Sequence, residues 1–218
     1  MSVYNIRYMK FFLNKLDWTA DNFIILIAPT ITSLEKLLHD CELLLSRLDM
    51  VINFKKSCLR IGSRHDAKCA DIVNSSGRVV PWVKETRYLG TYIVSSSVFR
   101  CSLSMAKRSF YKAANAILGK IGGKASEEVI LQLVRTKCMP VLLYGSMPVA
   151  KSDSSSLDFV VNRFFMKLFK TNHIDVVNYC RMQFNFELPT VTIAQRSRKF
   201  AAKYRLCDNA LCKSVVFR

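Results

Sequence analysis

Apolar positions change their period along this chain. Residues 23–28, Phe-Ile-Ile-Leu-Ile-Ala, are an unbroken apolar run closed by Pro29, the pattern of a buried strand. Leu34, Leu37, Leu38, Cys41, Leu44, Leu45 and Leu48 then recur at helical spacing and predict an amphipathic helix. Thr32-Ser-Leu-Glu35 has the form of a capping box and is expected to open it. Runs at 50–53 and 57–61 predict two short strands around a Phe54-Lys55-Lys56 turn, and 79–83 with 88–94 predict another pair. Residues 62–77 read as a polar loop. Residues 1–17 yield no assignable pattern, although Phe11-Phe12-Leu13 is apolar.

After Ser95-Ser96-Ser97 the period becomes helical. One helix is predicted over 103–121, with Ala106, Phe110, Ala113, Ile117 and Ile121 towards a core and Gly122-Gly123 as its end. Ser126 should cap the next, with Glu127 and Glu128 favourable in its first turn. Pro140 should kink or stop that helix near Cys138. A third helix is predicted to start at 154–156. Its Leu157, Val160, Val161, Phe164, Phe165, Leu168 and Phe169 form a stripe dense enough to be core rather than a base-stacking platform. A last helix is predicted over 191–206. The expected fold class is α+β: a small antiparallel sheet with a helix, followed by an all-α helical bundle.

With 218 residues, half of them hydrophobic, the chain can build a sizeable core and is not a disordered tail. Its apolar runs are too short to span a membrane, and its start lacks the apolar region of a secretory signal. An intracellular protein, nuclear or cytoplasmic, not secreted and without a membrane partner, is expected. The eight cysteines are scattered without a Cys-x-x-Cys pair, which suits reduced thiols. Cys207 and Cys212 have no histidine after them, and His39, His65 and His173 are isolated, so these spacings do not make a zinc site.

Charge sharpens the picture. The net charge is +17, unevenly placed: residues 1–99 carry 13 Lys/Arg against 9 Asp/Glu, and the remainder 20 against 7. Such an excess points to a polyanion, most simply nucleic acid. Lys107, Arg108, Lys112 and Lys120 fall on the polar side of the first long helix of the second half. Arg163, Lys167 and Lys170 do so on the third, and Arg196, Arg198, Lys199, Lys203 and Arg205 crowd the last. Each face alone could be a solvated surface. Three of one sign, with few acids between them, favour phosphate contacts.

The order of short motifs adds a resemblance. Trp18-Thr-Ala-Asp21-Asn22 precedes the apolar strand and the leucine helix. Asn53-Phe-Lys-Lys56-Ser57 and Arg87-Tyr88-Leu89-Gly90 follow, then residues 104–115 and Pro140-Val-Leu-Leu-Tyr-Gly145. Over about residues 20–190 this series resembles the late palm and thumb-like region of reverse transcriptases from non-LTR (LINE-like) retrotransposons. The resemblance implies an unassigned segment at 1–17, a partial palm over 18–95 and a helical thumb-like region over 98–218. It implies descent from an RNA-directed DNA polymerase that works with Mg²⁺ on an RNA template and a DNA primer. Asp21 would be the metal ligand, Asn22 its altered neighbour and Lys56 the lysine near the incoming nucleotide. Tyr88, Leu89 and Gly90 would grip the primer end.

Two departures matter. Asn22 stands where a second Asp is expected, and Thr19 replaces an aromatic residue. The third carboxylate of such sites lies upstream and would precede Met1. An amide brings no charge to Mg²⁺, so a polymerase-inactive fragment, binding no Mg²⁺ stably, is the expectation. Without the resemblance, Asp21 reads as a turn or strand-entry residue and Lys56 as a solvated turn lysine. A non-enzymatic basic helical module for RNA or DNA, or a remnant without function and with open sheet edges, are the alternatives. The sequence does not set the oligomeric state.

Overall fold

Two units divide the chain, Met1–Ser102 and Leu103–Arg218. The computed structural model describes residues 8–15, 21–50, 58–62, 66, 68, 70–145 and 151–209, with the backbone alone for 8–15, 21–24 and 151–152. The first unit mixes helix with small antiparallel sheets, and the described part of the second is helical.

In the first unit, β1 (Tyr8–Lys15) pairs antiparallel with β2 (Asp21–Ala28), from Tyr8 opposite Ala28 to Lys15 opposite Asp21. On its other side β1 meets β3 (Cys58–Arg60), giving the order β2-β1-β3. The apolar run at 23–28 is thus a strand, two residues longer than its apolar part. Its partner comes from the segment whose pattern predicted nothing. The strand predicted at 50–53 is not formed at Met50, and 51–57 lie outside the described residues.

Helix α1 (Ile31–Ser46) begins before the expected capping box. Thr30 is its N-cap, its hydroxyl accepting the Ser33 N–H at 3.1 Å. Glu35 does not reach back to the cap; it accepts the Val73 N–H at 3.1 Å. His39 Nε2 meets the Val73 carbonyl at 3.0 Å, and Glu42 accepts the Ser75 N–H at 2.9 Å and the Ser75 hydroxyl. Positions 35, 39 and 42 share one helix face. Glu35 and His39 satisfy the outward backbone groups of Val73 in β4 (Ile72–Val73), an otherwise open edge, and Glu42 holds Ser75 just beyond it. β4 pairs with β5 (Val79–Val80), so the stretch read as a polar loop contains a strand. Beneath this edge Leu34, Leu38 and Leu45 are buried with Ala28, Cys58, Ile72 and Val80. Leu37, Leu44 and Leu48 are exposed, so the buried stripe of α1 is narrower than its leucines suggest.

A meander of β6 (Glu85–Tyr88), β7 (Thr91–Val94) and β8 (Arg100–Ser102) completes the unit. β8 lies beyond the serine cluster where the sequence pattern turns helical.

The second unit comprises α2 (Ser104–Ile121), α3 (Glu127–Leu133), a π-helical turn (Val134–Cys138), α4 (Met139–Leu142), α5 (Lys151–Leu168), α6 (Ile174–Gln183) and α7 (Pro189–Arg205). Pro140 does not stop the chain's helical path. It lacks the N–H that would bond back four residues, and its ring would crowd that carbonyl. The wider turn before it carries the helix past this gap, with the Met139 N–H bonding to Val134 O. Helix α5 starts three residues before the serines expected to open it, and α6 has no counterpart in the sequence prediction.

Phe110, Leu131, Val134, Leu142, Leu157, Val161 and Phe165 are each at most 2% exposed. Phe165 centres the packing, edge-on to Phe186 at 5.1 Å and to Phe164 at 6.1 Å. The phenylalanine stripe of α5 is therefore core, as its density predicts. Asp158 of α5 caps α7, accepting the Thr190 N–H at 3.0 Å and its hydroxyl at 2.8 Å. Among the described residues no helix is long and apolar enough to cross a membrane.

Candidate nucleic-acid interface

Helix α2 contains no acidic residue. Burial of Phe110 and Ala114 fixes its inward side, which leaves Arg108 and Lys112, one turn apart, on the opposite side. Both are exposed, as is Lys120; Lys107, at the border of the core, is half-buried. On α5, Arg163 and Lys167 are exposed and again one turn apart. Lys170 lies just past the helix end in left-handed backbone, φ 51°, while the Thr171 N–H bonds back to Met166 O at 3.1 Å. This closure satisfies a terminal carbonyl and holds Lys170 at the surface.

The two basic faces adjoin. Lys167 Nζ donates to Asn115 Oδ1 of α2 at 2.9 Å. Burial pushes the Tyr111 phenol of α2 up, and the Arg163 guanidinium pulls it partly back. Lys167 therefore marks the α2–α5 seam; Arg108 and Lys112 lie on the outer face of α2, Arg163 on α5 and Lys170 just past its end. Lys167 spends one of its three donors on Asn115 and keeps the others for a ligand.

Helix α7 also lacks acidic residues. Pro189 and Ile193 are buried in its first turns, whereas Arg196, Arg198, Lys199, Lys203 and Arg205 are all exposed. Arg196, Lys199 and Lys203 recur on one side, with Arg198 and Arg205 on another. These cations form a second basic surface.

Tyr88, Leu89 and Gly90 belong to the first unit, at the β6–β7 hairpin. Leu89 and Gly90 are its two turn residues, with φ of 45° and 82° and Tyr88 opposite Thr91. Two positive φ angles suit a tight hairpin and favour Asn-Gly. A leucine there costs about 1–2 kcal/mol, and this one is 52% exposed. The Tyr88 ring packs beside Leu59, Ile61 and Ile93, so it supports the sheet rather than offering a free stacking face.

Asp21 and Asn22 are the first two positions of β2, opposite Lys15 and Asn14. They enter a strand instead of sitting in the turn. Lys56 lies outside the described residues, as do the rest of Asn53–Ser57 and residues 18–20. One carboxylate and one amide do not fit a pair of divalent ions, which need clustered negative charge. Among the described residues no three His, Cys, Asp or Glu side chains gather as a metal site. Burial pushes the thiols of Cys101 and Cys138 up, which makes them poor nucleophiles. The described cysteines form no disulfide.

Sequence reasoning missed Arg135, in the π turn. Its Nη2 donates to the carbonyls of Phe184 and Asn185 at 2.8 and 3.0 Å, and its guanidinium lies 5.4 Å from the Phe186 ring centre. It thus latches the α6–α7 connection. The only sequence signal was a cation between the buried positions Val134 and Cys138. A cleft of about 340 Å³ beside it is lined by Pro140, Glu187 and Arg196 among others. No protein-family model, curated protein or solved structure matches the chain.

Proposed function

We propose that the chain is the distal part of a reverse-transcriptase-like polymerase, the end of a palm followed by a thumb-like helical unit. In this reading it binds a primed RNA template through the helical unit and does not polymerise. The observation that carries the reading is the α2–α5 seam, where Lys167 bonds to Asn115 beside the acid-free outer face of α2. Such a surface attracts phosphates without reading sequence. The order of motifs supplies the polymerase assignment. Asn22 beside Asp21 supplies the inactivity, because losing one carboxylate weakens Mg²⁺ binding directly.

The test is binding of the whole chain to a labelled primed RNA template, compared with Arg108→Glu/Lys112→Glu. A loss of affinity of about tenfold or more is expected at low salt, where reversed charges repel phosphate most strongly. Equal affinity of the two proteins would overturn the reading.

A further inference from the structure

Beside the seam, α5 carries an exposed ring. Phe159 of α5 is 60% exposed, and the Arg163 guanidinium lies 5.9 Å from its ring centre. Phe164 and Phe165, the next aromatics along the helix, are buried at 3% and 0%, so they cannot take a base. Phe159, Arg163 and Met166 follow one another at spacings of four and three residues and share one side of α5, with Lys170 just past its end. At the rise of an α-helix, Phe159 to Met166 span about 10 Å, room for a base and its neighbouring phosphates. Arg163, over the Phe159 ring, lies one turn before Lys167, which bonds to α2.

A duplex hides the faces of its bases, and phosphate contacts alone give an aromatic ring nothing to do. An unpaired strand offers both phosphates for the cations and flat base surfaces for a ring. We propose that the α2–α5 seam takes unpaired nucleic acid, with one base stacked on the Phe159–Arg163 pair and its neighbouring phosphates on Lys167, Lys170 and Lys112. This inference rests on the seam being a nucleic-acid surface. It adds that the surface prefers single strands and uses base faces.

The experiment uses the whole chain and three labelled probes at one salt concentration: a short RNA strand, the same strand with abasic positions, and a blunt duplex. The native strand is expected to bind about tenfold more tightly than the abasic one, towards the lower end of what a base–aromatic stack contributes. Phe159→Ala should bring the native strand down to the abasic level with no change in salt dependence, and Phe159→Tyr should restore it. Equal binding of native and abasic strands, or indifference to Phe159→Ala, overturns the stacking proposal while leaving the basic seam intact. Failure to bind any of the three probes at low salt overturns both.

Discussion

Removing charge from the α2–α5 seam should change the salt dependence of binding by an amount the structure sets. Five exposed cations lie on α2, on α5 or just past the end of α5: Arg108, Lys112, Arg163, Lys167 and Lys170. On a single strand each neutralised phosphate contributes about −0.7 to the slope of log affinity against log salt. Five contacts give a slope of about −3.5, and Arg108→Gln/Lys112→Gln should lower it to about −2.1. Between about 50 and 200 mM salt, the unaltered chain should then lose roughly a hundredfold in affinity and the variant roughly twentyfold. Arg108 and Lys112 are exposed, so the substitutions should alter stability by less than about 0.5 kcal/mol. Fluorescence anisotropy at four salt concentrations measures both slopes, and circular dichroism checks the fold. Equal slopes with equal affinities would mean that these side chains are merely solvated.

Other substitutions test the packing around the interface. Phe165→Ala removes a fully buried ring from the helical core and should cost about 3–5 kcal/mol, read as a lower urea midpoint. Arg135→Lys keeps the charge but loses the planar fork that spans two carbonyls; a loss of about 1–2 kcal/mol in the same assay is expected. Leu89→Asn suits the left-handed backbone at the β6–β7 turn and should raise stability by about 1 kcal/mol. A destabilised Leu89→Asn protein would show that the leucine side chain makes contacts worth more than its strain.

The sequence disclosed elements whose apolar pattern coincides with their burial. On α5, Leu157, Val160, Val161, Phe164 and Phe165 are the expected inward positions and are buried; on α2 Phe110 is buried and Ala113, Ile117 and Ile121 are partly buried, while the buried Ala114 was not among those expected. Helix α6 was invisible because Ile174, Val176, Tyr179 and Met182 are exposed and only Val177 is buried. Its sequence therefore has no inward stripe to detect. β1 was missed because its apolar triplet breaks alternation; the eight-residue ladder with β2 identifies it as a strand. β4 is two residues long, and its edge is completed by Glu35 and His39 from far along the chain. Glu35 resembled a capping residue because local sequence cannot reveal that its partner is Val73. The cations of the interface were legible one by one. Their meeting across α2 and α5 required the fold, since Lys167 and Asn115 are 52 positions apart. Phe159 already falls outside the inward stripe by helical spacing, but its pairing with the Arg163 guanidinium required the fold.

The most direct measurement of the central claim is binding of the whole chain to a primed RNA template across a salt series, with primer extension in Mg²⁺ followed in the same tubes. Binding that weakens steeply as salt rises, without extension, is the expected result. Extension of the primer would contradict the inactive Asp21–Asn22 pair, and salt-insensitive binding, or none at low salt, would contradict the basic interface.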